Sequence, residues 1–188
     1  MDFCLFGSEF IDYNFMFSFP KIYEIKHWNL LSLMIVFFVS VGCKHQPAKS
    51  KEEILYETVI SSSGFSWYKS NEKVLRSAAS SAHNAWFRVR YNEIASTALS
   101  DSGRLPKTSV FPEGSIVVKE LFDEENGAIK LIAVMEKNER SSNAAEGWNW
   151  LEYYPDGTVF YGLKNKGEGC VSCHAKQSRD FNRVFDLH

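Results

Sequence analysis

Cys170 and Cys173 stand three residues apart near the end of the chain, with His174 directly after the second. This Cys170-Val171-Ser172-Cys173-His174 run constrains the fold more than any other feature, because it reads as a site of c-type haem attachment. Two thiols at that spacing can each add across one vinyl group of a porphyrin. The next imidazole then lies under the ring plane, where it meets the iron as proximal ligand. A chain built this way must wrap a large flat cofactor. Aromatic residues make up 15% of the sequence, enough both to fill a core and to line such a group.

Other uses of the same residues compete. A zinc site needs about four ligands and normally a second ligand pair; only His83, His174, His188 and scattered carboxylates could supply it. A thioredoxin-like redox pair belongs after a strand in a βαβ unit, whereas this one follows the glycine-rich stretch Gly167-Glu168-Gly169. A disulfide between Cys170 and Cys173 would close a very small, strained ring. Haem c is the reading the pattern favours, with Cys170, Cys173 and His174 as its site.

The other iron face decides what such a protein does. An electron carrier fills both axial positions, often with methionine opposite histidine. Downstream of residue 42 the one methionine is Met135, within an expected buried strand; His45 lies in a polar stretch, His83 near a strand start and His188 at the last position. None is an obvious sixth ligand, so a five-coordinate iron with an open distal face is expected.

The first 42 residues read as an export signal. Lys21, Lys26 and His27 precede an apolar run over 30–41 interrupted only by Ser32 and Ser40, and Gly42-Cys43 follows. A basic segment, an apolar core and small residues at its end make a signal peptide; the run is shorter than the ~20 residues of a spanning helix. Met16 is a candidate start. Ser40-Val41-Gly42 suits an ordinary signal peptidase, while Gly42-Cys43 resembles a lipobox with Ser40 where leucine is usual. The lipoprotein is favoured, since it leaves no lone reactive thiol at the N-terminus. Cys43 is then the lipidation site, residues 43–51 a tether and residues 52–188 the haem domain of a periplasmic or membrane-anchored bacterial protein. From Cys43 onward, basic and acidic residues balance at 19 each. That balance excludes a nucleic-acid binder, which needs a basic footprint.

The remaining pattern predicts helices over 52–60, 72–81 and 93–99 and a strand over 86–91. Strands are expected over 115–122 and 128–136, joined by an Asn126-Gly127 turn, and over 148–154 and 158–163, joined by Pro155-Asp156-Gly157. The fold class is therefore α+β, dominated by an antiparallel β-sheet with N-terminal helices around a single c-type haem, the haem motif lying in a loop. Alternation puts Val117, Lys119 and Leu121 on one face of the strand over 115–122. A lysine there is an inward charge guarding a strand edge, a side chain snorkelling to solvent, or a group with a special role.

The stretch Phe111-Pro112-Glu113-Gly114-Ser115-Ile116-Val117-Val118-Lys119-Glu120-Leu121 resembles the FxDGTVxVKEL signature of the cytochrome P460 family. Further matches follow in order: 82–92 with its Trp-x-Arg-x-Arg-Tyr-Asn strand, Val134-Met135, Gly147-Trp148, the Cys-x-x-Cys-His run, and Asp180-Phe181 leading to Val184-Phe185. The resemblance covers about 52–188. It implies an antiparallel sheet, usually in a homodimer, and a five-coordinate haem whose rim is cross-linked to a lysine. Members with the cross-link oxidise hydroxylamine and pass electrons to a periplasmic acceptor. The related cytochrome c′-beta proteins lack the lysine and bind nitric oxide. Lys119 occupies the cross-linking position, which implies a third covalent tie and a catalytic part for it. The hydroxylamine-oxidising members also carry a distal carboxylate on the strand after the lysine, as proton acceptor. An ungapped match puts Ile132 there, and no acidic residue occurs over 128–135, although Glu136 is near if the register shifts. Three functions follow: hydroxylamine oxidation, nitric oxide capture without turnover, and plain electron carriage.

Overall fold

Alternating apolar residues over the second half of the chain leave an extended backbone one way to bury both its faces, and a sheet covered on each side results. The computed structural model describes residues 47–68, 75–76, 83, 86–100, 103–176 and 179–182, all within one compact unit, Gln46–His188. Seven strands form one antiparallel sheet: β1 (Phe65–Trp67), β2 (Leu75–Arg76), β3 (Trp86–Asn92), β4 (Ile116–Phe122), β5 (Ile129–Lys137), β6 (Trp148–Tyr153) and β7 (Val159–Tyr161). The spatial order is β1-β3-β4-β5-β6-β7, with β2 paired to β3 beside β1. Strands β3 to β7 follow one another as a meander, as tight turns between consecutive strands require.

Helix α1 (Lys51–Ile60) begins with a capping box: the Ser50 hydroxyl accepts from Glu53 N at 3.1 Å, and Ser50 N donates to the Glu53 carboxylate at 2.6 Å. Its buried residues, Leu55 and Val59, are one turn apart and face one way. They pack on Ile116, Val118, Ile132, Val134, Leu151 and Tyr153, the even-numbered side of β4 and β5 and its partners on β6. The sheet's other side carries Phe87, Val89, Tyr91, Val117, Leu121, Met135, Trp148 and Trp150.

Three local expectations are corrected. Within the helix expected over 72–81, Leu75 and Arg76 are instead a strand pairing with Phe87 and Trp86; cross-strand pairing overrides a weak helical pattern, and the remainder of that stretch lies outside the described residues. The helix expected over 93–99 closes early as α2 (Glu93–Ser96), capped by the Asn92 side chain. Asn126-Gly127 does not form a two-residue hairpin turn, which needs positive φ at both residues: neither has it. Instead Gly127 N donates to Glu124 O at 3.1 Å, and a Cβ on Gly127 would meet Glu124 Cγ at 2.8 Å. At Pro155-Asp156-Gly157 the turn forms as expected, with Gly157 at φ 90° and its N–H on Tyr154 O.

Candidate functional site

The haem motif is helical, which corrects the expected loop. Gly167 and Gly169 have φ of 68° and 83°, and this left-handed entry lets Cys170 N and Val171 N close on Gly167 O at 3.0 and 3.1 Å. Helix α3 (Cys170–His174) follows at once. Gly167 is also where the segment meets the sheet: a Cβ there would stand 2.5 Å from Trp150 Cδ1. Three residues apart on one helical turn, Cys170 and Cys173 lie on the same side. Both are free thiols and half-buried. Burial, and then the nearby Glu152 carboxylate, pushes the Cys170 thiol above its ordinary range.

His174 is held by its ring and by Nδ1. Its ring meets Trp150 edge-on, with centroids 4.9 Å apart, and Nδ1 is 2.7 Å from the carbonyl oxygen of Phe181. A carbonyl can only accept, so Nδ1 carries the proton and donates. Nε2 is left with the lone pair a metal requires.

Strand register assembles the opposite wall. Val89, Lys119, Ala133, Glu152 and Tyr161 form one row across β3 to β7, on the face that Cys170 and Val171 pack against. Lys119 and Glu152 are separated by two strand spacings, about 10 Å, with only the small Ala133 between them. Lys119 is half-buried, its Nζ 3.9 Å from the centroid of the Phe87 ring, a cation–π contact. Burial pushes the Glu152 carboxyl above the usual carboxylate range. His83 Nε2 lies 3.5 Å from Glu152 Oε1, and the His83 ring is 6.4 Å from that of His174.

These residues fit a covalently bound haem. Two thiols on one helical turn, an imidazole whose Nδ1 donates to a carbonyl, an apolar aromatic wall and a floor kept shallow by Ala133 are the donor set and shape it needs. Buried titratable groups with displaced pKa values gather on this face, as they do at functional sites.

Of the residues singled out in the sequence, Cys170, Cys173, His174 and Lys119 share this face; Cys43, the apolar run before it, His45 and His188 lie outside the described residues. Among the described residues no helix is long and apolar enough to cross a membrane. Ile132 is fully buried on the opposite face under α1. Glu136 also points that way, bound by Asn149 Nδ2 at 2.7 Å and Lys51 Nζ at 3.0 Å, so a register shift would not bring it to the site. The site carboxylate is Glu152, one strand further on. Its only signal in the sequence is parity, since it shares the spacing of Trp148 and Trp150. Met135 is on the site face but packed between Val117 and Trp150.

No curated protein matches the chain. Residues 66–185 match the family described as Cytochrome P460. That span is more than half of the chain, includes Lys119, Glu152, Cys170, Cys173 and His174, and carries a haem cofactor with it. The chain belongs to the cytochrome P460 family.

Proposed function

We propose that this chain is an exported haem c protein that oxidises a small nitrogen compound of the hydroxylamine class. Cys170 and Cys173 hold the haem through thioether bonds, His174 Nε2 is the proximal iron ligand, and Lys119 makes a third tie to the ring edge. Haem bound there supplies an iron that can take up a small ligand and withdraw electrons from it. Each electron withdrawn from hydroxylamine is matched by a proton lost, so a base must stand beside the ligand. Glu152 is that base. Its burial raises its proton affinity towards the working pH, and His83 beside it passes the proton outward.

The observation that carries this reading is the shared row of Lys119 and Glu152 on the face packed against α3. Nitric oxide capture without turnover is the second reading: Ile132 on β5, where the resemblance expects a carboxylate, favours it, and Glu152 on the α3 face favours turnover. In the same reading an export signal ends before Cys43, a lipid on Cys43 tethers the domain to a membrane, and the electrons leave to a periplasmic acceptor.

The test is purification from a host that attaches haem. We expect a pigment that survives denaturation, a broad red-shifted Soret band from the Lys119 tie, and reduction of an added acceptor when hydroxylamine is supplied. A colourless protein overturns the haem assignment. A pigment that binds nitric oxide but never reduces the acceptor overturns turnover alone. Sharp low-spin bands with no ligand binding turn the reading into an electron carrier.

A further inference from the structure

Just beyond α3 the backbone does something side chains rarely permit. Asp180 and Phe181 both have positive φ, 49° and 61°, and neither is glycine. Consecutive left-handed residues persist only where their surroundings over-determine them.

The surroundings are those of the Asp180 carboxylate, buried with its side chain 5% exposed. Oδ1 accepts from Lys137 Nζ at 2.9 Å and from Trp148 Nε1 at 3.2 Å, and Oδ2 accepts from Phe111 N at 2.8 Å. Lys137 is equally buried, its Nζ 5.1 Å from the Trp148 ring centroid and 3.7 Å from the exposed Glu139 carboxylate. One side chain thus ties the segment to the end of β5, to the start of β6 and to the loop before β4. On either side, Arg179 donates to Leu105 O, and Asn182 Nδ2 donates to Tyr91 OH at 3.3 Å. The product of all this restraint is the direction of one carbonyl. Phe181 O points at Nδ1 of His174 at 2.7 Å.

We propose that Asp180 is a positioning residue for His174: it locks the Phe181 carbonyl onto Nδ1, fixing the tautomer and ring angle and strengthening Nε2 as an electron donor to the metal. A firmly held acceptor on the far nitrogen gives an imidazole ligand partial anionic character, which favours the oxidised metal. The inference rests on the assignment of His174 as iron ligand. A carboxylate that merely staples the C-terminal segment to the sheet would alter stability and leave the iron's electronic properties alone.

The experiment compares the wild-type holoprotein with Asp180→Ala and Asp180→Asn. Three readings are taken: the iron–histidine stretching frequency in the reduced state, the midpoint potential, and deuterium exchange of the His174 Nδ1 proton. Asp180→Ala should lower the stretching frequency, raise the potential and speed the exchange. Asp180→Asn keeps an oxygen for the Phe111 N–H but loses the charge that holds Lys137, and should fall between. An Asp180→Ala protein with wild-type frequency and potential overturns the proposal even if it melts earlier. Should Asp180→Ala fail to take up haem, Asp180→Asn and the wild-type exchange decide, and immediate exchange of the wild-type Nδ1 proton overturns it. A colourless wild type instead removes the haem assignment itself, a different failure seen before any variant is made.

Discussion

The two faces of this sheet are made by the same strands, yet they treat charge differently. Under α1, each carboxylate has a cation or amide at hand: Glu120 lies between Arg88 and Arg90, the latter at 3.2 Å, and Glu136 takes Asn149 and Lys51. The rest of that face is close-packed core, aliphatic but for Tyr153 and the packed rings of Tyr56 and Phe65. On the α3 face Lys119 lies over an aromatic ring, Glu152 and Cys170 are raised by burial, and two histidine rings approach one another. A packed core pairs most of its polar groups because leaving them buried without partners is costly; Arg90 Nε and Asn149 Oδ1 are the exceptions on this face among the described residues. Burial displaces Arg90 and Tyr153 on the packed face too; what sets the α3 face apart is that Glu152, Cys170 and two histidine rings gather at one place on it. Parity along β4, β5 and β6 decides which residue joins which face, so a change one position away tests stability in place of chemistry.

The sharpest way to break that division is at the thiols. Replacing Cys170 and Cys173 with serine together should abolish covalent pigment completely, read as haem staining on a denaturing gel. Retention of stain would mean that the α3 face is not where the cofactor is tied.

Next in size is Glu152→Gln. Loss of a positioned base costs about 10²–10⁴-fold in rate, so hydroxylamine-dependent reduction of an acceptor should fall by that order with the pigment intact. The pH profile gives the sign. Burial raises the Glu152 pKa above the usual carboxylate range, so the carboxyl is neutral in acid and the rate climbs as pH rises through that raised value. Glu152→Gln should flatten this limb. Stability runs the other way: a group with a raised folded pKa contributes most below its unfolded pKa and loses that contribution as pH rises through the folded one. The variant should therefore lose the part of the wild-type decline with pH that Glu152 causes. An unchanged rate would return the α3 face to the status of ordinary core.

Ile132→Ala reads the opposite face. Truncating a fully buried isoleucine costs about 2–5 kcal/mol, so the urea midpoint should drop sharply while the pigment's spectrum stays that of wild type. A spectral change at constant fold would show that the packed face reaches the cofactor.

Much of this was legible in one dimension. Alternation gave β4 to β7, and the Cys170–His174 run pointed to an attachment chemistry, because both are short-range patterns. Alternation sets Lys119 beside Val117 and Leu121 on one face and leaves open whether that side chain points inward or snorkels to solvent. What could not be read was everything that depends on register. Glu152 becomes a partner of Lys119 only because Ala133 pairs with both, and no local pattern in β6 announces that pairing. Leu75 and Arg76 are extended only because β3 offers them an edge. The helical turn of the haem motif is entered through left-handed glycines at 167 and 169, whose φ values composition does not reveal.

The smallest expected effect concerns the cap of α1, which belongs wholly to the packed face. Ser50→Ala removes the hydroxyl that accepts from Glu53 N and should cost about 1 kcal/mol. It leaves the backbone N–H of residue 50 on the Glu53 carboxylate. That carboxylate's pKa is lowered, first by the Ser50 backbone and then by the Ser50 hydroxyl. A depressed folded pKa contributes stability above the unfolded value and loses it as pH falls through the depressed one. The gap in melting temperature between wild type and Ser50→Ala should therefore be widest near neutral pH and narrow in acid, where Glu53 is protonated in both. Since Leu55 and Val59 meet only the α1 face, the midpoint potential and ligand binding of the haem should not move with it. Any shift of potential in step with the melting temperature would mean that the two faces are mechanically coupled through the sheet, and parity along the strands would no longer separate stability from chemistry.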